Sequence, residues 1–595
     1  MKKILYLATA TVLAFTSCNL DENPKAQIGK GPIFGSENGL SMYANSFYGV
    51  FTNPANSLTT WGDVTNTFYE GTNSYRRFYT NDYLPSNEGS WYWGTLRNIN
   101  YFLDNNTDTK VDEKVRNNYN GIARFFRAYF YFDKVCTYCD VPWIDHALDV
   151  DDELLKATRD PHAVIADHIY EDFEYAINNI TAESDATATR VTKMVAAAMQ
   201  SRFCLWEGTF RKYHTEAGLT ATADTWLQRA QQAAEIVIKS GDYSIYTAEG
   251  DQSYRALFKA KDPINQEVML ATVFNSAEGL TNAETRRVNT TTLGGPFAPI
   301  RQYMNLYLKL DGTPYTADGN YKTTPFTEEW NNRDTRAKQS VRTPGFTRIN
   351  GSTVIRTAPD YACAKCGYQG YKFALDDETF DGVDAGENNK IELRYAEVLL
   401  NWAEAKAELG TMTDADWASS IGILRARGGI TGGLSTKPTT IDSYLQETFF
   451  PSISDPTILE VRRERLLELT FEDFTFADIQ RWKCGYLMEM PMEGVYVPKF
   501  DTLIDMDLDG NPDVYFWTGT EAPSPKIAGV YYRQVQLTPD ADGNYTCDTT
   551  VEADGHTLLF NANGQKIVWN DRMYFHPISQ TDIILNPNLT QNPGY

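Results

Sequence analysis

Ala123-Arg124-Phe125-Phe126-Arg127-Ala128-Tyr129-Phe130-Tyr131-Phe132-Asp133 is the most aromatic helix-like run of the chain's first helical region. In and around it Ile122, Phe125, Phe126, Tyr129, Phe132 and Val135 repeat at three- and four-residue spacing, which makes one wide apolar helix face. Pro142 follows and stops the helix, because proline lacks the N–H and clashes with the preceding turn. Working outward, Val164 to Ile180 is a second amphipathic stretch opened by Asp160-Pro161, a cap and first-turn pair. Val191 to Trp206 is rich in Ala and Met and suits close packing, and Trp226 to Lys239 is a helix closed by Gly241. Far downstream Tyr395, Val398, Leu399, Trp402 and Leu409 keep the same spacing up to Gly410, and Trp417 to Ala426 and Ile458 to Phe471 add two more helices. Helix pairs with small and aromatic residues on their facing sides predict tetratricopeptide-like packing, although the period is irregular.

Between about 243 and 390, and again from about 486 to 595, Gly, Thr, Asn and Pro become frequent and helical periodicity fades. Long loop-rich segments in a compact chain are usually functional or disordered, and the aromatics here argue against disorder. The expected fold is therefore mainly α. One globular unit over 31–595 has a helical scaffold from about 31–242 and 391–485, with little sheet and an irregular, ligand-facing layer from the two inserts.

Composition bounds the partners. A 595-residue chain that is 42% hydrophobic has ample material for a large core. Lys+Arg 54 against Asp+Glu 78 gives a net charge of -24, which argues against nucleic acid and anionic lipid as general partners. Aromatics at 13% suit a protein that presents flat rings to a ligand. The chain has six His and lacks H-E-x-x-H, G-x-S-x-G and a Gly-Lys phosphate loop, so no catalytic constellation is visible. The reading is a non-enzyme; a glycoside hydrolase built on a carboxylate pair is the rival from that class.

Lys2 and Lys3, the apolar Ile4 to Phe15, and Thr16-Ser17 before Cys18 form a secretory signal too short to span a bilayer. A cysteine directly after small residues looks like a lipoprotein signal, with residues 1–17 removed, the Cys18 thiol acylated and 18–30 a tether. The mature protein is then lipid-anchored rather than threaded through the membrane. Of the other cysteines, Cys136/Cys139 and Cys363/Cys366 are C-x-x-C pairs too far apart for ordinary zinc-ribbon spacing. Buried thiols or a local disulfide fit an exported protein better, and Cys363 with Cys366, in loop-like surroundings, is the expected disulfide.

The chain closes on Tyr574-Phe575-His576-Pro577-Ile578-Ser579-Gln580, an apolar strand-like run, and the polar tail Asn586-Pro587-Asn588-Leu589-Thr590-Gln591-Asn592-Pro593-Gly594-Tyr595. That composition neither continues a helix nor pairs well in a sheet, so the tail is expected to be tied down over the globule. This ending resembles the RagB/SusD family of surface glycan-binding lipoproteins. So do Ala123 to Asp133 with Asp140-Val141-Pro142, Arg190 to Lys193, Asn332-Arg333-Asp334-Thr335-Arg336, Arg394 to Leu400, Ala403-Glu404-Ala405, and Arg462 to Glu468 with Asp478 to Trp482. Cys139 stands where the family usually has Gly, and Thr335 where it has Pro. Asp21-Glu22 resembles the acidic signal that sends such lipoproteins outward. The resemblance implies an outer-membrane, cell-surface protein that captures oligo- or polysaccharide for a TonB-dependent transporter. Some relatives take up peptides, which is the alternative ligand. Most of the matched residues are scaffold, and Arg124, Arg127 and Glu404 are expected in buried ion pairs.

Two stretches offer the flat rings and polar partners that a sugar needs. Trp91 lies near Arg76 and Asn98, and Tyr303, Tyr307, Tyr315, Tyr321 and Trp330 sit in the first insert. Trp91 and Trp330 are the favoured stacking residues; Trp93 is expected in the core. Asp505, Asp507, Asp509, Asn511 and Asp513, with Gly510 at the sixth position, resemble the start of an EF-hand loop; they read either as a structural calcium site or as an acidic turn, which Asp-Gly and Asn-Pro favour, and no cofactor is required. Phe516 occupies the twelfth position, where the closing Glu belongs.

Overall fold

The aromatic stretch at 123–133 lies inside α1, Glu113–Tyr138, of the computed structural model, which describes residues 30–51, 84–89, 91–289, 298–382, 385–560 and 568–595. Asp112 caps α1 by accepting from Lys114 N at 2.9 Å. The helix ends at Cys139, whose φ of 66° lies in the region that favours glycine. Cys139→Gly should therefore raise stability by about 1 kcal/mol, strain relief outweighing the entropy of the added glycine; a thermal melt checks this.

α2 (His162–Asn179), α3 (Lys193–Tyr213), α4 (Ala223–Ser240), α5 (Tyr395–Glu408) and α6 (Pro456–Glu468) follow, and each packs on the next from α1 onward. The scaffold thus crosses from the first helical region to the second at the α4–α5 contact. Gly208 lets α3 approach α4 closely: a Cβ there would meet Leu227 Cγ of α4 at 2.9 Å. Gly241 closes α4 at φ 72°, as its position predicts. Asp160 does not cap α2; its carboxylate accepts from Trp143 N at 2.7 Å, and Asp140 serves His162 N at 2.8 Å. The helix expected over 417–426 is two, Asp414–Ser419 and Ile421–Arg427, broken at Ser420 with ψ -86°. The helix expected to reach Phe471 stops at Glu468, with Phe471 at φ 64°.

Among the described residues, sheet is confined to four small groups of strands. β1 (Val268–Thr272) pairs antiparallel with β4 (Lys390–Arg394), and β2 (Thr347–Asn350) with β3 (Thr353–Arg356). β5 (Met492–Tyr496), β10 (Thr557–Phe560) and β9 (Thr549–Val551) form an antiparallel group with β10 in the middle. β6 (Leu503–Ile504), β7 (Val514–Trp517) and β8 (Tyr531–Gln534) form another, in which β7 and β8 run parallel. The fold is mainly α, and the inserts hold short helices as well as loops.

One cluster of buried apolar side chains runs from Phe34 to Leu589. Charged groups are threaded through it. Arg127 grips Asp172 at 2.6 Å and Arg481 holds Glu404 at 2.5 Å, both pairs buried as expected; Arg124 also reaches Asp172, at 3.1 Å, but its side chain is 33% exposed. Glu468, at the end of α6, receives Arg394 at 2.5 Å, Arg336 at 2.9 Å and Arg427. Burial pushes its pKa up, but Arg427, Arg394 and Arg336 outweigh it and hold the carboxyl well below the usual range.

The C-terminal tail is tied down, as its composition predicts. The Asn592 amide donates to Tyr138 O at 3.1 Å and to His576 O at 2.7 Å, and the Tyr595 hydroxyl reaches Arg572 O and Phe575 O at 3.0 Å. The run before it is not a strand; it holds a 3-10 turn at Asp571–Tyr574 and a helix at Gln580–Leu585. Cys363 and Cys366 are free thiols rather than a disulfide. Cys363 Sγ donates to Asp360 Oδ2 at 3.3 Å and Cys366 Sγ to Met492 O at 3.5 Å, so each thiol is directed to its own acceptor.

Candidate functional site

Arg301 and Gln302 begin the short helix Arg301–Met304, and Asn305 is its C-cap. These three residues form the floor of an open cleft of about 310 Å³. Tyr321 and Lys322 come from the same insert, Tyr444 and Thr448 from the helix Ser443–Phe449, Glu493 from β5, and Glu552, Asp554 and Thr557 from the β9–β10 hairpin. Arg301, only 3% exposed, stitches these parts together. It donates to Thr557 Oγ1 at 3.1 Å and to the carbonyls of Tyr321 at 3.0 Å and Thr324 at 3.4 Å. Gln302 Nε2 donates to Pro491 O at 2.8 Å, Asn305 Nδ2 to the Tyr444 hydroxyl at 3.3 Å, and that hydroxyl to Gln302 O at 3.2 Å. The Tyr321 and Tyr444 rings meet edge to face at 5.9 Å, and both are half-buried.

Glu493 faces Leu559 of β10 across the strand pair. Burial first, then the neighbouring Glu552, pushes its carboxyl up to about 7, with Arg301 and Lys322 pulling the other way. Two aromatic rings beside amide, guanidinium and carboxylate groups give the cleft apolar faces and fixed polar partners together. That is the combination a hydroxyl-rich ring requires.

The SusD family profile matches residues 266–595 of this chain. The chain belongs to the SusD family. A second profile, described as starch-binding associating with outer membrane, matches 36–205. Among curated relatives of this SusD-family chain is SusD-like protein P2 of Formosa agariphila. It is 23% identical over 521 residues, covering 84% of this chain and 95% of the relative. Similar solved structures include a SusD-like protein of Bacteroides fragilis at 18% identity and TM-score 0.65, covering 97% of this chain and all of the other (100%). A SusD-like carbohydrate binding protein of the same species has 18% identity and TM-score 0.64, covering 94% and 100%. A SusD homolog of Bacteroides thetaiotaomicron has 16% identity and TM-score 0.59, covering 98% and 99%. These likenesses bear on the fold.

The SusD-family fold redistributes the residues expected at the ligand. Tyr303, Tyr307 and Trp330 are 1%, 0% and 3% exposed and belong to the core. The Tyr303 hydroxyl donates to Leu466 O at 2.5 Å and lies 2.7 Å from Thr470 Oγ1, which the Tyr307 hydroxyl also approaches at 3.2 Å. Trp330 packs against Phe326 and Tyr368. Among the described residues of the aromatic run, Tyr321 lines the cleft. Trp91 is half-buried against Trp93 and Tyr138. Asn98 is a staple between chain segments: its amide receives the Tyr43 hydroxyl at 2.9 Å and donates to Ser46 at 3.2 Å. Arg76 and Cys18 lie outside the described residues. Arg301, Gln302, Asn305, Tyr444, Glu493 and Glu552 carried no sequence signal, because the contacts that unite them span long separations.

The acidic loop departs from the EF-hand register. Ligand atoms of Asp505, Asp507 and Asp513 lie within 4.8 Å of one another, whereas Asp509 and Asn511 are exposed and outside that group. Phe516 is buried in β7 and closes nothing. Backbone amides already occupy much of the cluster: Asp505 accepts from Leu508 N at 2.6 Å and Gly510 N at 2.8 Å, and Asp513 from Met506 N at 2.7 Å. Burial, then Asp513, pushes the Asp507 carboxyl up to about 6.

Proposed function

We propose that this SusD-family chain is a cell-surface glycan-binding lipoprotein. It holds oligo- or polysaccharide in the Tyr321–Tyr444 cleft and delivers it to a TonB-dependent outer-membrane transporter. The observation that carries the reading is the cleft, with its paired rings and polar floor. The description of the second family profile and the carbohydrate-binding relative support it. No helix among the described residues is long and apolar enough to cross a membrane; the proposed attachment through an acylated Cys18 rests on the signal-like sequence before it. The transporter partner rests on the family alone; co-purification of the native lipoprotein in mild detergent checks it.

A glycan array followed by titration tests the cleft. Tyr444→Ala and Tyr321→Ala should each weaken binding of the best array glycan roughly 2- to 13-fold, the loss of one stacking contact, with unchanged circular dichroism. Wild-type affinity in both single variants and the double variant would remove the assignment.

A calcium ion at Asp505, Asp507 and Asp513 would relieve the crowding that raises Asp507. A carboxyl whose folded pKa is raised costs stability above that pKa, and the cost vanishes below the unfolded value near 4. In chelator, Asp507→Asn should therefore melt higher than wild type at pH 7.5, and the gain should fade as pH falls from about 6 toward 4. Calcium should raise the wild-type melting temperature and not that of the variant; equal wild-type melting temperatures in calcium and chelator would retire the ion.

A further inference from the structure

The polar groups of the cleft divide unevenly between donors and acceptors. Its donors are largely committed. Arg301 spends both terminal nitrogens on Thr557, Tyr321 and Thr324, and the Gln302 and Asn305 amide nitrogens are spent on Pro491 and Tyr444. The Tyr444 hydroxyl donates to Gln302 O, and the Thr557 hydroxyl to Asp554 at 2.6 Å. The acceptors are less committed. Gln302 Oε1 and Asn305 Oδ1 have no protein partner but are closed to solvent, on residues 5% and 6% exposed. The Glu493 and Glu552 carboxylates line the cleft and accept no hydrogen bond among the described residues. Lys322 is the exception, an exposed ammonium 5.8 Å from the Tyr321 ring centroid. The Tyr321 and Thr448 hydroxyls can act either way.

A half-buried carboxylate that accepts no protein hydrogen bond is stabilised by a ligand donor. A ligand carboxylate or sulfate supplies no donor and meets like charge on Glu493, Glu552 and Asp554. We infer that the cleft selects sugars that donate: neutral or free-amine glycans are accepted, and glycans bearing uronate or sulfate groups are refused. This deepens the reading of the cleft as the glycan site and depends on it. The two glutamates accept from ligand hydroxyl or ammonium groups and set the charge preference. Arg301 is backed by the buried Glu329 and held by protein acceptors, so it is not free to pair with a ligand anion. The charged groups facing Glu493 are Glu552 and Asp554 from the hairpin, Arg301 from the short helix and Lys322 from the insert loop. As Glu493 takes up its proton below about 7, the discrimination should weaken.

The test is an array of neutral, free-amine, uronate-bearing and sulfated oligosaccharides, read with wild type, Tyr444→Ala, Glu493→Gln, Glu552→Gln and the double Gln variant. Circular dichroism controls the fold. Wild type at pH 7.5 should bind neutral or amine-bearing glycans, with anionic counterparts weaker on the order of tenfold or more. Tyr444→Ala should weaken every hit. The Gln variants should narrow the gap between neutral and anionic counterparts, and wild type at pH 5.5 should move the same way as Glu493→Gln. Hits dominated by uronates or sulfates and lost in Tyr444→Ala would keep the cleft and overturn the selectivity. An unchanged gap in the double Gln variant would also overturn it. Hits indifferent to Tyr444→Ala would remove the cleft as the site, and an array on which wild type binds nothing would remove the glycan reading and this inference together.

Discussion

Glu468→Ala should cost about 3–5 kcal/mol, the range for breaking a buried ion pair by removing one partner. The reason lies in what remains. Arg394, Arg336 and Arg427 converge on this carboxylate from β4, from the helix Thr335–Ser340 and from the helix Ile421–Arg427. Arg394 and Arg427 keep a share in Glu267, and Arg336 in Asp334 and Glu464. Three guanidiniums would nonetheless share one less anion in a core with almost no solvent. Glu468→Gln keeps the volume and still loses the charge, so it should fall near the alanine variant. An exposed pair gives the contrast: Lys239→Ala breaks a 2.6 Å contact to Glu235 on the α4 surface and should change stability by about 0.5 kcal/mol or less. The depressed Glu468 pKa sets the pH window. Its contribution is present above the unfolded carboxyl value and is lost only as pH falls toward the much lower folded value. The penalty of Glu468→Gln should thus be flat from pH 8 to 5 and shrink under stronger acid. Denaturant melts across that range measure it; a penalty no larger than that of Lys239→Ala would contradict the network.

Trp330→Ala separates two roles for one residue. A ligand-stacking tryptophan would lose affinity and keep its melting temperature. The structure puts the ring in the core against Phe326 and Tyr368, so truncation should cost about 3–5 kcal/mol of stability. Glycan affinity of the folded fraction should stay at the wild-type value. A variant that melts like wild type while losing the glycan would return Trp330 to the ligand.

The helical scaffold was legible because its signal is local. Ile122 to Val135 carry the period of α1 within one stretch, and Gly241 marks the end of α4 without reference to anything distant. The break at Ser420 was not legible, since Trp417 to Ala426 read as one apolar period. Nor was the end of α6, where Phe471 keeps helical spacing but turns to positive φ in a separate buried cluster with Val288 and Tyr371. The site was legible only at Tyr321. Whether a tyrosine faces ligand or core depends on which atoms meet its hydroxyl, and those of Tyr303 belong to residues 466 and 470, far away in sequence. The cleft itself joins 301–305 to 444, 493 and 552–557, a juxtaposition created by the β5–β10 pairing and the Arg301 bonds.

On the proposed function, glycan is held between Tyr321, Tyr444 and the β9–β10 hairpin. A crystal structure of the chain with its best array glycan tests this most directly. Sugar density should lie against the Tyr321 and Tyr444 rings, with hydroxyls donating to the Glu493 or Glu552 carboxylates. Density over Trp91 or elsewhere on the surface, with this cleft empty, would contradict it.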